Sequence, residues 1–261
     1  MEFEIIDFHA HPYESEKNCI CIHPTAIKRS ANEFIKDMDR CGVNLCCGSV
    51  VSLDKKPENL SWWEHIKPLN DEALEIKKLY GDRIFPGVTI HPESVETSIE
   101  EIDRFLANGI NLIGELVWYV QGYNTYCSKN MQTILDYASE KGMVLSVHPT
   151  DYDDMDKLCE NHPNLIIVGA HPSENEAFIR HVERAKKDKN YYLDLSGGGI
   201  YRYGATRRLV NEIGAEKILF GSDYPICNLQ MYVDGVRNDN LLTKEEKRLI
   251  LSDNAKRILK I

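Results

Sequence analysis

Eight apolar runs of strand length recur along this 261-residue chain, at 4–9, 43–51, 84–90, 110–118, 143–148, 165–170, 191–195 and 218–222. They lack the polar/apolar alternation of half-solvated strands and read as parallel strands covered on both faces. One run falls about every 33 residues, the length of one strand-plus-helix unit. The intervening segments carry helical periodicity: Met131, Ile134, Leu135 and Ala138 make one apolar stripe, and Ile99, Ile102, Phe105 and Leu106 another. Capping boxes are expected at Ser30/Glu33, Thr97/Glu100 and Ser173/Glu176. Gly42, Gly81, Gly109, Gly142 and Gly214 stand where helices should end in a left-handed residue. Strand then helix, eight times without a linker, predicts an α/β fold, a (β/α)8 TIM barrel, as a single domain over 1–261.

Composition narrows the class. The 31 Lys+Arg against 41 Asp+Glu give a formal net charge of −10, which argues against a nucleic-acid partner. No apolar run is long enough to span a membrane, and the N-terminal MEFEIIDFHAHP lacks a basic leader and cleavage site, so a cytoplasmic protein is expected. The eight cysteines form no CxxC and are expected to be reduced, mostly buried thiols, with Cys19 and Cys21 the one pair spaced like ligands. The charged stretches 183–189 and 244–248 mix signs and read as solvated helix faces. A small-molecule substrate is the expected partner, and a homo-oligomer is compatible with the sequence.

A barrel carries its chemistry where strands end at their C-terminal side. His9 and His11 close the first run two residues apart, on one face of a strand. His148 closes the fifth, His171 the sixth and Asp223 the eighth, while Glu115 lies in the fourth. Any one of these alone reads as a satisfied core residue. Six ligand-type side chains at the ends of five strands, in barrel order, point to a metal site, with donors that suit zinc and related divalent ions. His91 ends the third run and divides evenly between substrate contact and packing. His162 lies on the opposite face, His181 is placed mid-helix in solvent, and His23 and His65 fall in long loops.

These residues resemble the amidohydrolase superfamily. The HxH of the first strand, the later His148, His171 and Asp223, and the closing Ser252-Asp253-Asn254-Ala255 carry the likeness over essentially the whole chain. Leu219-Phe220-Gly221-Ser222-Asp223-Tyr224-Pro225 is most similar to the branch containing aminocarboxymuconate-semialdehyde decarboxylase. Two features differ: Glu115 stands where binuclear members carry a bridging group, and Val88-Thr89-Ile90-His91-Pro92 with Gly114-Glu115 is similar to TatD-type deoxyribonucleases. The resemblance implies one or two divalent ions, with His9, His11 and Asp223 at the first and His148, His171 and Glu115 at a second. With a single ion, His148 joins the first set and His171 is free as an acid or base.

It further implies metal-activated water, with Asp223 and His171 moving protons, and hydrolysis of a small amide, cyclic amide or lactone. The alternatives are a TatD-like nuclease or phosphoesterase, and a mononuclear decarboxylase or hydratase. Substrate contacts are expected from His91, Trp118 and Tyr119, with Trp62 and Trp63 in the loop after the second strand as an apolar wall or lid. The Ser196–Gly199 loop reads equally as an anion site, with Arg202 beside it, and as a tight turn by the metal.

Overall fold

The computed structural model describes residues 4–21, 27 and 30–261. Among them, eight strands appear within the eight apolar runs: β1 (Ile6–Asp7), β2 (Leu45–Ser49), β3 (Ile84–Gly87), β4 (Leu112–Leu116), β5 (Val144–Val147), β6 (Ile166–Gly169), β7 (Tyr191–Asp194) and β8 (Ile218–Leu219). All neighbouring pairs are parallel, in arcs of three strands and five. Bridges Val88–Ile113 and Ala10–Tyr224 join the arcs, and Phe8 N donates to Phe220 O at 2.8 Å, so the sheet closes on itself. The fold is a TIM barrel.

The helices follow in order: α1 (Ala31–Cys41), α2 (Trp62–Tyr80), α3 (Val95–Ala107), α4 (Lys129–Glu140), α5 (Tyr152–Asn161), α6 (Asn175–Lys187), α7 (Ala205–Ile213) and α8 (Leu229–Arg237), then α9 (Lys244–Arg248) and α10 (Asn254–Leu259). The α4 stripe of Met131, Ile134, Leu135 and Ala138 is wholly buried against the sheet. In α3, Ile102 and Phe105 are buried while Ile99 and Leu106 lie at the edge of the interface. Among the described residues, no helix is long and apolar enough to cross a membrane.

Several local expectations need correction. Ser30 and Glu33 form their capping box, but Thr97 lies inside the first turn of α3, where its hydroxyl donates to Ser94 O. Ser173 precedes the α6 N-cap, Glu174, and makes no box. The boxes that do form elsewhere are Ser61/Glu64 and Thr243/Glu246. Gly42 takes the left-handed capping conformation (φ 73°, ψ 29°), whereas Gly81 (ψ −129°) and Gly214 (ψ 148°) keep a positive φ but leave the left-handed helical region. Trp62 and Trp63 open α2 and do not lie in a loop.

The 183–189 stretch is not uniformly solvated. Arg184 is buried, paired with Asp156 and laid over the Tyr191 ring. His181 is likewise buried, with Nδ1 2.8 Å from the Tyr191 hydroxyl, and burial pushes its pKa down to about 3. One face of α6, from Phe178 to Ala185, turns inward to the sheet, and mixed charge in sequence does not report that face. His162 caps α5 away from the site. All eight cysteines are free, and His23 lies outside the described residues.

Candidate metal centre

The six residues singled out on the strands converge at the C-terminal rim. His9 and His11 follow β1, Glu115 lies within β4, His148 follows β5, and His171 and Asp223 lie beyond β6 and β8. His9 Nε2 is 3.3 Å from Glu115 Oε2 and 3.7 Å from Asp223 Oδ1. His11 Nε2 is 3.5 Å and 3.4 Å from the same two oxygens. The other Glu115 oxygen, Oε1, faces His148 Nδ1 at 3.2 Å and His171 Nε2 at 3.6 Å. His148 Nδ1 and His171 Nε2 are themselves 3.2 Å apart. Glu115 thus stands between a pair of imidazoles on each side.

Two of these placements depend on unusual backbone. His171 and Asp223 both have φ of 62°, a left-handed conformation that costs a non-glycine residue about 1 kcal/mol. An ordinary strand continuation would send their side chains elsewhere, so packing holds this geometry against local preference.

Burial grades across the cluster. The His9 side chain is 1% exposed, His171 14% and His148 26%. The centre is therefore sealed at β1 and opens beside β5 and β6. Tyr119, half exposed, sets its ring edge-on to His148 at 5.1 Å, with Trp118 next to it at 5.3 Å. These aromatic rings line the opening.

The electrostatics fit a cation. Burial alone would lower the His9 pKa, but the Asp194 and Glu115 carboxylates raise it well above the ordinary 6.5. His11 is pushed up to about 9, burial being outweighed by Asp223 and Glu115. Burial would raise Glu115, yet the imidazoles hold it well below the usual carboxylate range. His9 Nε2 is fully buried among these carboxylates and makes no hydrogen bond. A buried nitrogen without a hydrogen bond is costly, and a divalent ion held by His9, His11 and Asp223, or by His9, Glu115 and His171, would satisfy it. The donor set fits the ion.

A sign follows for the metal-free protein. His11 binds its proton more tightly folded than unfolded, so its contribution is complete below pH 6.5 and is lost as pH rises through about 9. Chelated protein should lose roughly 5 °C of melting temperature between pH 6.5 and 9. Saturating metal should remove that slope, because the ligands are then deprotonated throughout. Thermal scans with and without chelator across this range measure it.

Other expectations fare differently. His91 is buried, with Nε2 2.9 Å from Gln121 O, Nδ1 accepting from Glu93 N at 3.1 Å, and the ring stacked on Trp62 at 4.6 Å. Both its nitrogens are taken by backbone, so it packs the wall and offers a substrate nothing polar. Trp118 Nε1 donates to Pro149 O at 3.0 Å. Arg202 departs from the anion-contact expectation: Nε lies 2.7 Å from Glu174 Oε1 and the side chain points to solvent. His65 is part of α2, beside Trp62.

The glycine loop also has a role other than anion binding. A Cβ at Gly197 (φ 59°) would stand 2.3 Å from His171 Nδ1, so this glycine clears space for the imidazole. Gly197→Ala should lower turnover at least about a hundredfold with the barrel intact, since a displacement near 1 Å at a reacting group costs that much. Steady-state kinetics beside a near-UV circular dichroism spectrum test this.

Sequence reasoning missed Asp194 and Asp7. Asp194, the last residue of β7, is fully buried with Oδ2 2.8 Å from His9 Nδ1. Asp7 is buried in β1, accepts from Ser222 N at 2.9 Å, and is pushed up to about 7 by burial. The signal for both was a lone carboxylate inside an apolar run, where a charge persists only with partners.

Fold and site together define a (β/α)8 barrel with an imidazole–carboxylate cluster at its C-terminal rim. The family model described as amidohydrolase matches residues 6–261, and the chain belongs to that family. No curated protein matches it in sequence. Among solved structures it is similar to 2,6-dihydroxybenzoate decarboxylase from Rhizobium (16% identity, TM-score 0.77, 99% of each chain covered). It is also similar to 5-carboxyvanillate decarboxylase from Novosphingobium aromaticivorans, complexed with manganese and 4-hydroxy-3-methoxy-5-nitrobenzoic acid (15% identity, TM-score 0.78, 100% of this chain and 97% of that one). A third is the dihydroxybenzoic acid decarboxylase from Polaromonas with manganese and 2-nitroresorcinol (14% identity, TM-score 0.73, 99% and 97% covered).

Proposed function

We propose that this protein is a metal-dependent decarboxylase acting on a hydroxylated aromatic carboxylate. The observation that carries the metal dependence is the buried His9 Nε2, which stands between two carboxylates and makes no hydrogen bond. Two features favour decarboxylation over the hydrolysis expected from sequence. End-to-end likeness in fold to three benzoate-type decarboxylases supports it, as does an opening edged by Tyr119 and Trp118, which suits a flat ring.

His9, His11 and Asp223, with Glu115, would hold the ion. When bound it supplies positive charge that orients the substrate's oxygens and withdraws electrons from the ring. Decarboxylation breaks the bond from ring carbon to carboxylate, releases carbon dioxide and leaves the electron pair on the ring carbon. A proton must then reach that carbon. His171 Nε2 sits at the open side of the cluster and is the group placed to deliver it: it takes a proton from solvent, the Asp223 carboxylate favouring that charged form, and passes it to the ring carbon to return to the neutral imidazole. Burial lowers the His171 pKa, which eases release of that proton. Trp118 and Tyr119 would flank the ring at the opening.

Manganese is proposed alongside zinc as the working ion, since imidazole and carboxylate donors suit both. The eight free thiols support a reducing, cytoplasmic location. The test is carbon dioxide release from 2,6-dihydroxybenzoate and 5-carboxyvanillate by manganese- and zinc-loaded protein, beside a panel of lactones and cyclic amides. Carbon dioxide without hydrolysis is expected. Hydrolysis alone would overturn the proposal in favour of a hydrolase with bridging Glu115, the reading its two-sided carboxylate favours.

A further inference from the structure

Strand β7 contributes no ligand to the cluster, yet its end touches two of the residues that matter most. Asp194 accepts from His9 Nδ1 at 2.8 Å, Ser196 N at 2.9 Å, His171 N at 3.4 Å and the Ser196 hydroxyl. Ser196 Oγ in turn lies 3.0 Å from His9 Nδ1 and 3.0 Å from His171 Nδ1. Asp194 and Ser196 are both completely buried.

Proton counting decides the roles. A carboxylate only accepts, and the single hydroxyl hydrogen of Ser196 goes to Asp194. The serine oxygen can then only accept from the rings, so each Nδ1 must carry the hydrogen. With an ion at the cluster both rings would be neutral, and a neutral imidazole has one N–H, which leaves both Nε2 atoms bare and turned towards Glu115.

We propose that Asp194 and Ser196 are positioning residues that lock His9 and His171 together in the Nδ1–H tautomer. One relay thereby sets the lone pair of a metal ligand and that of the proton carrier. It rests on the metal-centre reading above and not on the identity of the substrate. The surrounding glycines leave the relay its room. A Cβ at Gly221 would lie 2.8 Å from His9 Cβ and 3.2 and 3.3 Å from those of Ser196 and Asp194. Gly197 does the same for His171 Nδ1.

The test uses zinc-loaded protein, because zinc is diamagnetic, and reads imidazole nitrogens by 15N–1H correlation together with zinc affinity. In the wild type, His9 and His171 should both show hydrogen on Nδ1. Asp194→Asn should weaken zinc roughly 10–100-fold, as loss of a ligand's outer partner does. Ser196→Ala should release His171 from its Nδ1–H form while zinc affinity stays within about threefold, and Ser196→Thr should restore the wild-type spectrum. Hydrogen on Nε2 of wild-type His171 overturns the proposal, and that result needs no variant to fold. Zinc affinity unchanged in Asp194→Asn, or variants that only lower the melting temperature, overturn it too. Absence of zinc binding in the wild type would bring down the metal centre itself.

Discussion

Replacing His9 by alanine, or Asp223 by asparagine, should cut turnover roughly ten-thousandfold while the barrel stays folded. His9 is the shared member of both donor groups that meet at the cluster. Its Nε2 lies beside the Glu115 and Asp223 carboxylates without a hydrogen bond, so its loss removes a donor atom that both donor groups share. Its loss also removes the cation-bearing partner of two buried carboxylates, Glu115 and Asp194. Asp194 keeps the Ser196 donors, which limits the stability cost to roughly 1–3 kcal/mol. Asp223→Asn preserves shape and removes the charge facing His11 at 3.4 Å. Carbon dioxide release, metal content and near-UV circular dichroism measure the three effects separately. Unchanged turnover in both variants would remove the metal centre from the mechanism.

Glu115→Ala is the second large effect, and it reads the metal count. The carboxylate is 3% exposed and faces four imidazoles, His9 and His11 through Oε2 and His148 and His171 through Oε1. We expect one ion per wild-type chain and an affinity roughly 10–100-fold weaker in the variant, with turnover falling in step. Elemental analysis after dialysis against defined metal measures this. Two ions per wild-type chain, falling to one or none, would instead make Glu115 a bridge and favour the hydrolytic reading. The variant also strips His9 and His11 of an acceptor, so the pH slope of the chelated protein should flatten.

The strands were legible because each is covered on both faces, which writes a continuous apolar run into a single local segment. The cluster was legible for a related reason. A histidine or acid ending such a run at a barrel's C-terminal side has one place to point. Asp194 was overlooked although it stands inside the run at 191–195, because its meaning lies in His9, 185 residues away. Arg202 misled in the opposite direction: a cation beside a glycine loop looks free until Glu174 is found against it. His181 failed because six charged neighbours at 180–188 masked the one α6 face turned to the sheet.

Chain order alone determined the barrel, its eight units and the rim on which six ligand-type residues stand. Those are consequences of periodicity and burial, which act over a few residues at a time. Tertiary structure decided the rest: the left-handed turns that aim His171 and Asp223, the Glu115 oxygens divided between two pairs of imidazoles, and the Asp194–Ser196 relay behind the rings. Each depends on distances between groups far apart in sequence. Hydrogen bonds and ion pairs form or fail within a few tenths of an ångström, and only packing of the closed sheet sets those distances.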